Sequence, residues 1–181
     1  MPDQAKALFS NFLRKKRMKI TRPYLRGRIL DFGCGVGELT QMCNPETYVG
    51  VDIDTASIEI ARKKHPMFQF LFELPENEKF DTIVMLAVIE HIPDPVALLK
   101  KLKTMLKPDG YIVLTTPHPA FNSIYAFGSK LGVFSKDANE DHELLINLKT
   151  MKELANKANL SIAIYKKFLF GANQLFILKS I

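Results

Sequence analysis

Residues 29–40 read ILDFGCGVGELT: an apolar run closes on Asp31, and Gly33, Gly35 and Gly37 alternate before a helix start. A strand that runs into closely spaced glycines lets backbone approach a ligand with no side chain in the way, and its amides sit where a nucleoside cofactor can reach them. The stretch predicts an open parallel sheet whose ligand lies beyond the carboxyl end of this strand.

The spacing narrows the ligand. The dinucleotide fingerprint places its third glycine one position later, where this chain carries Glu38. Carboxylates at Glu38 and Asp31 repel a pyrophosphate at a helix N-terminus, which argues against NAD. A cofactor bearing an ammonium and a sulfonium favours acidic neighbours, and S-adenosylmethionine fits that description. Asp52 follows Asp31 by 21 residues, at the end of the apolar run Tyr48 to Val51. A ribose-binding carboxylate is expected about 20 residues on. Ile53 beside it offers an apolar surface to a purine, and Asp54 is assigned as cap of the helix that begins near Thr55.

Four segments, LDFGCGVGE, VGVDID, FDTIVMLAVIEHIPDP and LKPDGYIVLTTPHP, follow one another in order. Together they resemble the class I S-adenosylmethionine-dependent methyltransferases, in particular the small-molecule branch with ubiquinone-pathway and sugar O-methyltransferases. The resemblance covers residues 29 to 178. It implies a doubly wound, Rossmann-like α/β fold: a mainly parallel seven-stranded sheet with an antiparallel edge hairpin and helices on both faces. It also implies that Asp31, Gly33, Cys34, Gly35, Gly37, Asp52 and Ile53 hold the donor, that Glu73 and Leu74 face adenine, and that Leu86 and Ala87 flank the methionine part. Relatives more often carry aspartate in the adenine turn, and Glu73 reads equally well as a surface residue.

The chain has 181 residues, 47% of them hydrophobic, enough for one domain with a full core. We divide it into a basic helical arm (1–27), a cofactor-binding core (28–116), a substrate-side insertion (117–147) and a C-terminal helix with edge strands (148–181). No apolar stretch has membrane-span length, and the start lacks a signal-type apolar segment. Cys34 and Cys43 form neither a disulfide framework nor a C-x-x-C pair, so a reducing, cytoplasmic setting is expected, with Cys34 filling the loop. The net charge of +6 is local. Arg14, Lys15, Lys16, Arg17, Lys19, Arg22, Arg26 and Arg28 carry no acid between them, and the remaining chain is slightly acidic. Such an arm reads as a solvated helix face, an RNA or anionic-lipid contact, or a lid.

Short apolar runs near 28–32, 47–52, 68–72, 81–86 and 111–115 alternate with helical patterns. Asp94 caps a helix with Pro95 in its first position, and Leu98, Leu99, Leu102, Met105 and Leu106 form its core stripe. Thr150 and Glu153 read as a capping box, and Ser161 to Phe168 and Gln174 to Leu178 as an edge pair.

Methyl transfer from an activated donor rests mainly on alignment, so a base is optional. If the acceptor is a hydroxyl, a histidine can take its proton. His91 and His118 fall just past the fourth and fifth strands and are the catalytic candidates, with loop bracing an equal reading for His91. Some relatives bind a divalent metal through E-x-x-E-H at this turn. Here Ala87 replaces the first glutamate, and no metal is expected, although His118, Asp141, His142 or Glu143 could compensate. Phe121, Tyr125, Phe127 and Phe134 can line a pocket for a ring-bearing or lipid-like small-molecule acceptor, or serve as packing. RNA methylation through the basic arm, and nucleoside binding without catalysis, stand as alternatives.

Overall fold

The central strands carry near-continuous apolar runs, Ile83–Leu86 and Tyr111–Leu114, because they are covered on both faces. The computed structural model describes residues 2–119 and 144–181, with side chains from residue 10 onward. Its seven strands are β1 (Ile29–Phe32), β2 (Tyr48–Val51), β3 (Gln69–Leu71), β4 (Phe80–Leu86), β5 (Leu106–Pro117), β6 (Leu160–Phe168) and β7 (Asn173–Ser180), in the order β3-β2-β1-β4-β5-β7-β6. The first five pair in parallel, and β7 pairs antiparallel with both β5 and β6. The strand order reverses at β1, between β2 and β4, which opens a crevice past Phe32 and Leu86.

The helices are α1 (Pro2–Thr21), α2 (Thr55–Lys64), α3 (Pro95–Thr104) and α4 (Leu148–Lys157) among the described residues. Leu30, Val49, Ile83, Met85, Ile112, Leu114 and Phe176 point to one face of the sheet, where Leu99 and Leu102 of α3 and Met151 and Ala155 of α4 cover them. Ile29, Tyr48 and Val84 point to the other, against Met18 of α1 and Ile58 and Ala61 of α2. The alternation along each strand therefore sorts into two packed layers. Each fully buried aliphatic side chain in them contributes about 1.5–3 kcal/mol.

Three sequence expectations change. The segment after the glycines is a short 3-10 turn, Glu38–Met42, and no α-helix follows. Pro45 and the start of β2 at Tyr48 leave too little chain for one, and the Thr40 hydroxyl bonds back to the Gly37 carbonyl at 2.6 Å. The cap of α4 is Asn147, whose side chain accepts from the Thr150 amide at 2.9 Å, so Thr150 lies inside the first turn. Asparagine is a stronger cap than threonine, and the earlier start places Met151 and Ala155 on one buried stripe. Strand β5 begins at Leu106 because the Phe80 to Leu106 pairing resumes across an irregularity, where Asp109 takes a left-handed φ of 63°. The caps expected at Asp54 and Asp94 form, accepting from the amides of Ala56 and Ala97. Among the described residues, no helix is long and apolar enough to cross a membrane.

Candidate functional site

The three glycines of the loop have different tasks. Gly33 has a φ of 77°, and a Cβ there would lie 2.4 Å from Val88 Cγ2; Gly37 has a φ of 78°, and its Cβ would lie 2.6 Å from Phe70 Cζ. Both are required by packing as well as by the left-handed backbone. Gly35 also has a positive φ, 51°, yet nothing stands within 4 Å of where its Cβ would be. Its bare face opens on the crevice. The loop hangs from β2 by the amides of Gly33 and Cys34, which both donate to the Val51 carbonyl. Cys34 is buried against Gly50, and burial with two nearby carboxylates pushes its thiol up, out of the reactive range.

Two carboxylates flank this loop. Asp31, at the end of β1, is only 3% exposed, and its Oδ2 accepts from the buried Tyr48 hydroxyl at 2.8 Å. Burial raises its pKa to about 7; the Tyr48 bond opposes the rise and the charge of Asp52 adds to it. Asp52, half-buried past the end of β2, accepts from the Gly35 amide at 2.8 Å through Oδ2 and from the Asp54 amide at 3.0 Å through Oδ1. It therefore ties the loop tip to the second strand and keeps carboxylate lone pairs for a further partner. Ile53 beside it is 90% exposed.

Between loop and N-terminal arm lies a cleft of about 210 Å³, lined by Arg14, Met18, Asp31, Gly35, Glu38 and Leu86 among others. Helix α1 forms its outer wall. Arg14 donates to Glu38 at 2.7 Å, Met18 is 4% exposed and packs into the same cluster as Leu39, and Arg17 donates to Asn173 at 2.9 Å. Residues 14, 17, 18 and 21 share one stripe of the helix and face the protein.

Past β4, Leu86 lines the cleft and Ala87 holds a φ of 58° with its amide on the Thr115 carbonyl. Glu90 follows, 3% exposed, with Oε2 unpartnered among the described residues and its carboxyl raised by burial against the pull of His91 and Arg17. His91 is exposed at the end of that turn. His118, half-buried past β5, donates its amide to the Ala172 carbonyl at 2.9 Å; burial, aided by Lys167, lowers its ring pKa. Glu73 is exposed in the turn after β3, while Leu74 is partly buried against the core. The crevice thus brings Asp31, the glycine loop, Asp52 and Leu86 to one rim, with Glu73 and Ile53 on its outer surface.

Tyr48 and Met18 were not singled out from sequence, Arg14 only as one residue of the basic arm, and Glu90 only as a brace beside His91. The stripe at 14, 17, 18 and 21 carried the signal for Arg14 and Met18, obscured by the basic residues around it. The aromatic residues expected at the acceptor side, Phe121, Tyr125, Phe127 and Phe134, and the acidic cluster Asp141, His142 and Glu143, lie outside the described residues. Among the described residues, no three histidine, cysteine, aspartate or glutamate side chains converge as a metal-holding group.

A family described as a methyltransferase domain matches residues 4–163, most of the chain. The chain belongs to that methyltransferase family. It is 30% identical over 105 residues to the ubiquinone biosynthesis O-methyltransferase of Actinobacillus pleuropneumoniae, an alignment covering 49% of this chain and 45% of that one. With the enzyme of the same name from Vibrio parahaemolyticus it shares 26% identity over 150 residues, 74% of this chain and 63% of the other. The chain thus spans about half the length of the first of these curated relatives. Magnesium protoporphyrin IX methyltransferase from Synechocystis PCC 6803, with bound SAH, superposes with a TM-score of 0.70 at 17% identity, covering 94% of this chain and 84% of that one. At that identity the likeness concerns the fold alone.

Proposed function

We propose that this methyltransferase transfers a methyl group from S-adenosylmethionine to a small-molecule acceptor, at a hydroxyl. One observation carries the cofactor reading: two carboxylates, Asp31 and Asp52, flank a glycine loop whose central residue presents bare backbone to a cleft. A buried carboxyl with one neutral hydroxyl donor is an incomplete site that a cation completes. S-adenosylmethionine carries two positive centres and a ribose, and it supplies a methyl already activated on a sulfonium.

In this reading Asp31 receives the ammonium, and the backbone of Gly33, Cys34, Gly35 and Gly37 lies along the methionine part. Asp52 accepts from the ribose hydroxyls with the lone pairs that the Gly35 and Asp54 amides leave. Ile53, Leu74 and Glu73 edge the adenine, and Leu86 and Ala87 border the reacting end. His118 is the base for the acceptor hydroxyl, with His91 the second candidate. The lowered pKa of His118 keeps its ring neutral and able to take a proton. Small-molecule oxygen acceptors are favoured by the O-methyltransferases among the relatives. The RNA reading is weakened because Arg14, Arg17, Arg26 and Arg28 of the basic run bond to Glu38, Asn173, Asp109 and Glu78 of the chain itself.

The test is incubation with methyl-labelled S-adenosylmethionine and a cell extract separated into small-molecule, lipid, RNA and protein fractions, with Asp52→Ala as control. Label in the small-molecule or lipid fraction, lost in the control, supports the reading. Label confined to RNA or protein overturns the acceptor class, and no label despite cofactor binding overturns catalysis.

A further inference from the structure

The basic arm divides into two stripes. Arg14, Arg17, Met18 and Thr21 turn inward, whereas Phe12, Lys15, Lys16 and Lys19, at the same i, i+3, i+4, i+7 spacing, turn to solvent. Phe12 is 46% exposed and lies under the Lys16 ammonium, 5.2 Å from ring centroid to Nζ. Lys16, Lys19 and Ile20 then form one wall of an open groove of about 510 Å³, and Phe168, Leu169 and Phe170 form the other. Among the described residues, no carboxylate lines it.

The second wall is the turn of the β6–β7 hairpin, and it breaks two local rules at once. Leu169 and Phe170 both hold left-handed backbone, with φ of 53° and 55°, ahead of Gly171. Phe170 is fully exposed. A bulky apolar residue in that conformation is uncommon, and leaving it uncovered in water adds a second cost. Lys166, two residues before Phe168 and so on the same sheet face, adds a further cation.

We propose that this groove and hairpin tip dock on an anionic lipid bilayer surface, with Phe170 and Phe12 entering the interface and Lys15, Lys16, Lys19 and Lys166 meeting the headgroups. Charge complementarity selects an anionic partner. The choice of bilayer over RNA rests on Ile20 and Leu169, which have no π-face on which a base could stack but suit the acyl boundary, beside the rings of Phe168 and Phe170, which suit either. The cations are lysines on flexible stems, which reach headgroups while their methylenes stay in the interface. The docking face adjoins the proposed acceptor side. The hairpin carries Ala172, whose carbonyl holds the His118 amide, and Asn173, which accepts from Arg17. Docking would thus present the rim of the sheet to molecules held in the membrane, and it does not depend on the methyl-transfer reading.

The experiment is co-sedimentation of the full chain with phosphatidylcholine vesicles, pure or containing about a third phosphatidylglycerol, at low and high salt. Binding is expected only to the charged vesicles and should weaken with salt. A Lys15→Gln, Lys16→Gln, Lys19→Gln triple variant should lower the partition coefficient about a hundredfold, at about fivefold per lysine. Phe170→Ser, at a fully exposed position, should lower it about tenfold with the salt dependence kept. Circular dichroism and S-adenosylhomocysteine binding, unchanged in both variants, show that fold and cofactor cleft are intact. Equal binding to neutral and charged vesicles, no binding to either, or indifference to the triple variant overturns the proposal. Tighter, competing binding of single-stranded RNA assigns the surface to nucleic acid and overturns it as well.

Discussion

The Tyr48 hydroxyl donates to Asp31 Oδ2 at 2.8 Å, from β2 to β1, at the inner end of the cleft. The carboxyl beyond that bond is buried and has a pKa near 7, where an ordinary aspartate stands at 3.8. A raised carboxyl means that the folded chain keeps a proton the unfolded chain has released. Asp31 therefore favours folding below about pH 3.8, and that contribution is lost as pH rises through about 7. Asp31→Asn should flatten this dependence and stabilise the ligand-free protein at pH 8 by about 1 kcal/mol, net of the cost of burying the amide. Thermal denaturation between pH 5 and 8 measures it, and a variant less stable than the parent at pH 8 contradicts it.

If Asp31 receives the ammonium as proposed, the same proton is linked to cofactor binding. A cation placed against Asp31 requires the ionised form, so affinity for S-adenosylmethionine should fall by up to about tenfold per pH unit below pH 7. Titration calorimetry in two buffers of different ionisation enthalpy should register proton release near pH 7. Tyr48→Phe removes the bond that opposes the pKa rise, so the whole profile should move to higher pH. An unchanged profile in Tyr48→Phe would separate the titration from Asp31.

Much of this arrangement was legible in the chain itself. The run ILDFGCGVGE predicted β1 and its loop because glycine spacing is a local property, and Asp52 was reachable because one strand and one crossover have a nearly constant length. Beyond the antiparallel edge pair of β6 and β7, pairings between strands were not legible. Tyr48 meets Asp31 only through the register that sets Ile29 opposite Tyr48 and Asp31 opposite Gly50. Nor was the role of α1, since a helix basic on both of its stripes shows no polar contrast by which to tell its inward face. The caps show the local limit: Asn147 and Thr150 both satisfy a capping pattern, and burial of Met151 and Ala155 decides between them.

The glycines allow stability and binding to be varied separately. Gly33→Ala and Gly37→Ala place a methyl against Val88 and Phe70 in left-handed backbone, and each should cost about 2–4 kcal/mol of stability by denaturant unfolding. Gly35→Ala meets open space, so its cost should stay near the 1–2 kcal/mol of the backbone alone. Its methyl, however, projects from the cleft wall, and cofactor affinity should fall at least tenfold. Gly35→Ala with full affinity would move the cofactor away from the loop.

His118 and His91 are distinguished by their response to pH. As base, His118 should lose about a hundredfold in kcat on replacement by alanine while cofactor affinity stays within twofold. Its lowered pKa should place the acid limb of kcat/KM below the ordinary histidine value of 6.5. His91→Ala, at an exposed position, should retain that limb. If the limb vanishes in His91→Ala and persists in His118→Ala, the assignments exchange.

Helix α1 should act on the cofactor through packing more than through charge. The Arg14–Glu38 pair is about one-third exposed on both sides, so breaking it should change stability by under about 1 kcal/mol. Met18 is buried between the cleft and the cluster of Leu39, Tyr48 and Ile58, and Met18→Ala leaves a void on the cleft wall. The expected loss is about 2 kcal/mol, at the low end for a buried methionine because the void opens toward the cleft. Cofactor dissociation should quicken at least tenfold in stopped-flow displacement, with association nearly unchanged, because the wall restrains a ligand already seated. Arg14→Ala should quicken it by less. If Arg14→Ala accelerates release as much as Met18→Ala, the ion pair is the latch; if neither does, α1 stands beside the cofactor without holding it.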